Sequence, residues 1–478
     1  MYELLIRNGE ERPDGVFFIH GESPVRYRQA LETVRRTAGN LRGRGLLAGD
    51  RLLLQLGNSP EFVYLYFAAL QLGAIPMLVN PAARRFELEY YCEKARPRLA
   101  VTTRALEGQF RAGGIPFMAP GAIITIDGPS PGGFLGEVAG THPLEDYECS
   151  APGQAAALIF TSASDGNAKG ALLTHGGIRV AAETAHRMLV DEHDVFISML
   201  PFFHSFGLTS SLILPLYSGV PFMLIERFSP RTLVGLLSKA TIACGVPGMY
   251  EILAKALPAG TRYPGMKAWI SGGEALSSGL QASLLEHHLI DLRQGYGLTE
   301  ASPIVAWNDL DNPSTPGSVG RAMPYNEVRI LPPDRRSPEG TPGEILVRGA
   351  NVIGEYFEDS RATREAISDG WLHTGDLGFF DAKANLVIAG RKKDMVIRRG
   401  LNVYPREVAR ILSRNPEIQN VQVSGHITHL PDHRFAESLT AEIFVKTDSA
   451  LTAESVLEWA RENLSAYKIP EEITIRRA

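Results

Sequence analysis

Short apolar runs alternating with amphipathic stretches most limit the fold open to this chain. DRLLLQLGN is a strand-like run, EFVYLYFAALQLGA has helical spacing, and IPMLVNP is again a short buried strand. The rhythm returns in VFISMLP then TSSLILPLYSG, VPFMLIE then SPRTLVGLLSKA, and KAWISGGE then LSSGLQASLLEHH. Strand, helix, strand in this order predicts a mostly parallel sheet covered by helices. After about Pro313 the texture changes. SVGRAMPYNEVRIL, GEILVRGANVIGEYF and DLGFFDAKANLVIAGR read as alternating strands between Gly, Pro and Asp turns, which predicts a small β-subdomain. From Gly390 onward, strands (NVQVSGHI, LTAEIFVK) mix with helices (PREVARILSRN, AESVLEWARENLS) in a compact α+β unit.

A chain of 478 residues outgrows one ordinary core, so two to four subdomains are expected. Its 44% hydrophobic and 21% charged residues are those of a globular protein. A net charge of −5 speaks against a nucleic-acid surface, and the basic runs Arg391–Lys393 and Arg398–Arg399 are short and local. The three cysteines, Cys92, Cys149 and Cys244, lie far apart without CxxC spacing. That argues against a disulfide framework or a zinc site and fits a reducing compartment. MYELLIRNGEERPDG has no apolar run after its charges, so no signal peptide is read. SSLILPLYSGVPFMLIE is broken by two prolines and a glycine, which suits buried strand and helix rather than a membrane span. A cytoplasmic protein is expected.

Three stretches carry candidate chemistry. FTSASDGNAKG, Phe160–Gly170, follows the apolar run AAALIF and precedes a strand and a helix in ALLTHGGIRVAAETAHRML. Its small residues, hydroxyls and trailing Lys169 suit a phosphate cradle, although the P-loop spacing is absent. It reads also as a polar surface hairpin. RQGYGLTEASP, Arg293–Pro303, has glycines around Tyr296 that permit close backbone approach to a flat ligand. Its Thr299 and Glu300 offer a hydroxyl and a carboxylate suited to a phosphate oxygen and Mg²⁺. WLHTGDLG, Trp371–Gly378, holds Asp376 in a tight turn where it could accept hydrogen bonds from a ribose diol.

Taken in order, FTSASDGNAKG, LPFFHSFG, SGGEAL, QGYGLTE, WLHTGDLG and GRKKDMVIRRGLNVYPREV resemble the motif series of the adenylate-forming enzymes. That superfamily includes acyl-CoA synthetases, aryl-CoA ligases, peptide-synthetase adenylation domains and beetle luciferase. The resemblance spans essentially the whole chain. It implies an α/β fold: a large N-terminal adenylation domain, 1–391, of parallel-type sheets covered by helices plus a small β-subdomain. A small, mobile α+β C-terminal domain, 392–478, follows. The implied reaction is ATP-dependent conversion of a carboxylic acid to acyl-AMP, then transfer to the thiol of CoA.

The resemblance also implies roles for single residues. Thr161, Ser162, Ser164, Gly166 and Lys169 belong to the loop around the β- and γ-phosphates. Thr299 touches the α-phosphate and Glu300 holds Mg²⁺. Gly273, Glu274, Gln294, Gly295 and Tyr296 flank adenine, while Asp376 and Arg391 hold the ribose. Lys393 stands at the family's hinge, and Gly400 lies in the segment that approaches the thiol carrier. His204 resembles the gating aromatic beside the acyl carboxylate, with a packed core histidine as the other reading. An apolar acyl pocket is expected from His204, Phe206, Val246, Gly272 and Gly297. Phe202–Gly207 holds no carboxylate, so an amino-acid substrate is not expected.

Two departures stand out. Ala163 occupies a place where the family's phosphate loop has glycine, and Asp165 replaces a hydroxyl. An acidic residue here also occurs in acyl-carrier-protein ligases, so a carrier protein is the alternative acceptor. The sequence also ends at YKIPEEITIRRA, before the family's adenylation lysine is expected. That, with the altered loop, motivates a second alternative, a catalytically reduced acyl- or nucleotide-binding protein. Oligomeric state is not readable.

Overall fold

A computed structural model gives the structure of the chain. It describes residues 1–83, 85–111, 121–127, 132–161, 168–258, 260–332, 341–392, 396–398, 401–403, 405–429, 435–464 and 468–477. The runs read as strands and helices form two large sheets. The first has strands in the order 123–125, 99–102, 51–54, 75–78, 155–161, 169–174. Every neighbouring pair is parallel except the last. The second has nine strands, with a parallel centre running from Leu292–Gly297 through Ala268–Ser271, Ile242–Gly245, Phe196–Ser198 and Phe222–Leu224 to Val16–His20. Antiparallel strands close both of its edges. The sheets are thus mixed, with the expected parallel order kept where both faces are covered. Such strands need apolar residues at successive positions, and Arg51–Leu54, Ile242–Gly245 and Ala268–Ser271 supply them.

The β-subdomain expected after Pro313 is an antiparallel sheet of Asn326–Leu331, Gly343–Gly349, Trp371–Phe380, Ile367–Ser368 and Leu386–Arg391. One stretch differs from expectation. In GEILVRGANVIGEYF only Gly343–Gly349 is a strand. The rest runs as irregular chain, and its Tyr356 makes an isolated bridge to Ala171. TSSLILPLYSG also differs, opening with a wide π turn at Leu208–Ile213 before the short helix Leu214–Ser218. Beyond residue 400, Ile418–His429, Phe435–Val445 and Glu472–Arg477 form a sheet. A core of its own, including Val408, Leu412, Ile443 and Val456, packs there. Among the described residues no helix is long and apolar enough to cross a membrane.

Asn58 joins the two large sheets. It follows the first-sheet strand Arg51–Leu54 and is buried. Its Nδ2 donates to the carbonyls of Leu200 (2.9 Å) and Ile225 (3.2 Å), and its Oδ1 accepts from the Phe202 N–H at 2.7 Å. Both carbonyls lie just past second-sheet strands. Buried backbone groups stripped of partners cost about 1–3 kcal/mol each. Asn58→Leu should therefore destabilise the chain by on the order of 3 kcal/mol, seen as a lower urea midpoint. A midpoint within experimental error of the parent would remove Asn58 from this role.

Candidate functional site

The candidate residues meet at the carboxyl ends of the second sheet's parallel strands, where ligands bind in open α/β sheets. Leu292–Gly297 ends in a backbone so crowded that a Cβ on Gly297 would lie 1.6 Å from the Pro303 carbonyl oxygen. Only glycine fits. The chain then turns through Thr299–Ala301, which sets two side chains in defined company. Thr299 Oγ1 lies 3.1 Å from Ser205 Oγ, both buried. Glu300 Oε1 accepts from Thr161 Oγ1 at 3.1 Å and from Tyr356 OH at 2.9 Å. Burial first, and then the Glu300 charge, raise Tyr356 far above an ordinary phenol, so it stays a neutral donor.

Thr161 ends Ala155–Thr161 and is the register partner of Lys169 in the antiparallel strand Lys169–Thr174. The glycine- and serine-rich stretch is thus flanked by a hairpin. Lys169 Nζ lies 5.6 Å from the Tyr356 ring centroid, in cation–π range. Ser162, Ser164 and Gly166, with Ala163 and Asp165, lie outside the described residues, as do Lys393 and Gly400.

A second constellation surrounds Asp376. Ile345 faces Thr374, Gly375 and Asp376 together across the register shift between Gly343–Gly349 and Trp371–Phe380. Bulges of this kind re-aim side chains beside sites. Thr374 Oγ1 donates to the Ile345 carbonyl at 2.8 Å and accepts from the Asp376 N–H at 3.0 Å. Buried Asp376 then accepts from Tyr296 OH at 2.7 Å and pairs with Arg391 Nε at 3.1 Å. Burial, then the Asp376 charge, hold Tyr296 well above the usual phenol range. Behind the bulge, buried Glu344 accepts from the Gly375 N–H (3.3 Å) and from Lys392 Nζ (3.0 Å).

An apolar cavity with about 690 Å³ of empty space, counting its open mouth, lies beside these groups. His204, Phe206, Gly272, Gly273, Gly295, Tyr296 and Gly297 line it, with Cys244, Ile270, Leu189 and Met323 farther round. The Phe206 ring lies against Gly272, where a Cβ would come within 3.1 Å of it. Val246 is not among the lining residues. It stands beside Gly273, whose Cβ would lie 3.7 Å from Val246 Cγ1. Glu274 contributes its carbonyl, 3.5 Å from Gln294 Nε2. Ser205, Tyr356 and Glu344 carry no role in the motif reading. Tyr356 lies in the VIGEYF stretch already noted, but its partner Glu300 is 56 positions away, so no local pattern could reveal the pair.

The oxygen set suits Mg²⁺. That ion is generally held by one or two carboxylates together with substrate phosphates. Glu300, flanked by the Thr161 hydroxyl, provides one such carboxylate. Among the described residues no group of three or more His, Cys, Asp or Glu side chains forms an all-protein cage.

The sequence pattern of the family described as AMP-binding enzyme matches residues 5–357. The putative acyl-CoA synthetase YngI of Bacillus subtilis is 27% identical, with 98% of this chain and 91% of that protein covered. A 4-coumarate–CoA ligase of Humulus lupulus is 29% identical, over 93% and 84% of the two chains. The crystal structure of ATP-bound MatB from Rhodopseudomonas palustris superimposes with a TM-score of 0.90 at 26% identity, covering 100% of this chain and 95% of that one. Fold and site define an ATP-dependent, AMP-forming acid–CoA ligase, for which ATP, Mg²⁺ and CoA are the co-substrates and metal. The chain belongs to the AMP-binding enzyme family.

His204 offers a check on the site. Its Nδ1 accepts from the Phe206 N–H at 3.2 Å, which leaves the proton on Nε2. The residue is exposed overall, yet the surrounding protein desolvates the cation and lowers its pKa. The ring should therefore stay neutral as pH falls past about 6.5, where a free imidazole titrates. Its NMR resonance, assigned by its loss in His204→Ala, should titrate below that pH. A midpoint at or above it rejects the neutral ring.

Proposed function

We propose that this ligase activates a carboxylic acid whose acyl part is uncharged and largely apolar, fatty or otherwise, and passes the acyl group to CoA. The observation that carries this is the apolar cavity lined in part by Ser205, the hydrogen-bond partner of Thr299, with no Asp, Glu, Lys or Arg among its lining residues. An amino acid or a dicarboxylate would leave a buried charge unpaired there. Among relatives, a long-chain-fatty-acid–CoA ligase of Bacillus subtilis (26% identical) and the 4-coumarate–CoA ligase both have names consistent with such acids.

In the proposed first step a carboxylate oxygen of the acid attacks the α-phosphorus of ATP, and pyrophosphate leaves in line. Thr299, supported by Ser205, donates to an α-phosphate oxygen, and neutral His204 orients the acid's carboxylate. Thr161 and Lys169, with Ser162, Ser164 and Gly166 of the same stretch, would bind the outer phosphates. Glu300 would hold Mg²⁺, which neutralises triphosphate charge and polarises phosphoryl oxygens. Gly273, Glu274, Gln294 and Gly295 flank adenine beside Tyr296, and Asp376 takes the ribose diol with Arg391. In the second step the CoA thiol attacks the acyl carbonyl, and AMP leaves with the bonding pair. We assign residues 1–391 to the ATP and acid sites. Residues 392–478 form the small domain, which turns at Lys393 and brings Gly400 toward the thiol.

A panel of carboxylic acids with ATP, with and without CoA, tests this by mass spectrometry. Acyl-AMP without CoA and acyl-CoA with it are expected, and pyrophosphate release from none of the acids would reject the proposal. Glu300→Gln should lower turnover by about 10²–10³ while leaving the melting temperature near the parent's. Near-parental rates at low Mg²⁺ would remove Glu300 from the metal. Asp376→Ala should weaken AMP as well as ATP by about tenfold or more, read by calorimetry, because the ribose is held in both steps. Unchanged AMP affinity would count against the ribose contact.

A further inference from the structure

Tyr356 stands between two groups of opposite charge, Glu300 and Lys169. Its phenol OH donates to Glu300 Oε1 at 2.9 Å, and Lys169 Nζ sits over its ring, 5.6 Å from the centroid. The tyrosine is 6% exposed and fastened on several sides. Its N–H donates to Thr363 Oγ1 at 3.0 Å, and its backbone bridges Ala171 on the strand that begins at Lys169. The Phe357 N–H donates to the Gly170 carbonyl, and the Ile353 N–H to the Glu300 carbonyl. The segment is thus tied both to the strand that carries Lys169 and to the turn that carries Glu300.

The bonding pattern leaves both charges unneutralised. Among the described residues neither Lys169 nor Glu300 is in an ion pair; their partners are the Tyr356 ring and two hydroxyls. Thr161 and Tyr356 both donate to Oε1, and no described residue donates to Oε2. Neutral donors fix a carboxylate without cancelling its charge, and a π face holds an ammonium in the same way. A direct Lys169–Glu300 pair would cost the carboxylate its pull on a cation and the ammonium its pull on a phosphate.

We propose that Tyr356 is a positioning residue that keeps Lys169 and Glu300 apart: its hydroxyl fixes the carboxylate with Oε2 left for Mg²⁺, and its ring holds the ammonium ready for the outer phosphates of ATP. This rests on the ligase reading above and adds a residue to its ATP site.

The test measures ATP affinity by calorimetry twice, with Mg²⁺ and with EDTA, so that binding and not turnover is read. The parent should bind ATP more tightly with Mg²⁺. The ratio of the two affinities reports on Glu300, and the affinity in EDTA reports on Lys169. Tyr356→Phe keeps the ring and loses the hydroxyl. Its ratio should fall by about tenfold, the equivalent of one hydrogen bond to a charged group, with the EDTA affinity near the parent's. Tyr356→Leu loses both contacts and frees Lys169 to pair with Glu300. Its EDTA affinity should fall several-fold as well, and adding Glu300→Gln should restore it, because Lys169 then has no carboxylate to meet. A tyrosine that serves only packing would lower both affinities together and gain nothing from the second change. Should the Leu variants fail to fold, Tyr356→Phe decides alone. An unchanged ratio in Tyr356→Phe, no effect of Mg²⁺ on the parent, or a Tyr356→Leu defect that Glu300→Gln leaves in place overturns the proposal. A parent that binds no ATP in either condition overturns the ligase reading beneath it.

Discussion

The carboxylate of Glu300 holds three distant stretches of chain at one point. Thr161 reaches it from the end of a first-sheet strand, Tyr356 from the irregular stretch after Gly343–Gly349, and Glu300 itself follows the last parallel strand of the second sheet. A half-buried carboxylate needs donors, and two neutral hydroxyls supply them. Backbone bonds fasten the same meeting point. The Ile353 N–H donates to the Glu300 carbonyl at 2.9 Å, and the Phe357 N–H to the Gly170 carbonyl at 2.7 Å. The apolar cavity depends in part on this junction because Leu298 and Pro303, on either side of Glu300, line it.

Asp376 is the counterpart on the other side. Its position follows from a bulge that places three residues opposite Ile345. The bulge is braced in front by Thr374 and behind by Glu344. Glu344 also binds Lys392, directly after Arg391. The candidate ribose carboxylate and the joint to the C-terminal residues are therefore tied to one buried carboxylate. A charge so placed is tolerated because its partners are all donors or cations.

In this chain the candidate nucleotide-side groups and the apolar cavity wall are largely different residues. In the proposed reading, the Glu300 and Asp376 constellations carry the ATP-side chemistry, which is the same whatever the acid. The acyl wall, by contrast, is built from Ala185, Leu189, Cys244 and Met323. The Phe206 ring, packed against Gly272, is part of the same wall.

The sequence by itself determined the layer architecture and the class of chemistry. Strand and helix periodicities act over a few residues, and the stretches YGLTE and HTGDLG put their chemical groups on contiguous chain, so both were legible. Thr299, Glu300 and Asp376 could be named for that reason. Tertiary structure alone decided their partners. Thr161 lies 139 positions from Glu300, and Tyr296 lies 80 from Asp376. Such pairs form only when separate sheets pack, and no local pattern encodes their distance. The strand expected through VIGEYF failed for a related reason. Its apolar residues fit a strand, but Tyr356 and the backbone of Ile353 and Phe357 are engaged by Glu300 and Gly170. Those bonds hold the segment across two sheets instead of letting it extend one.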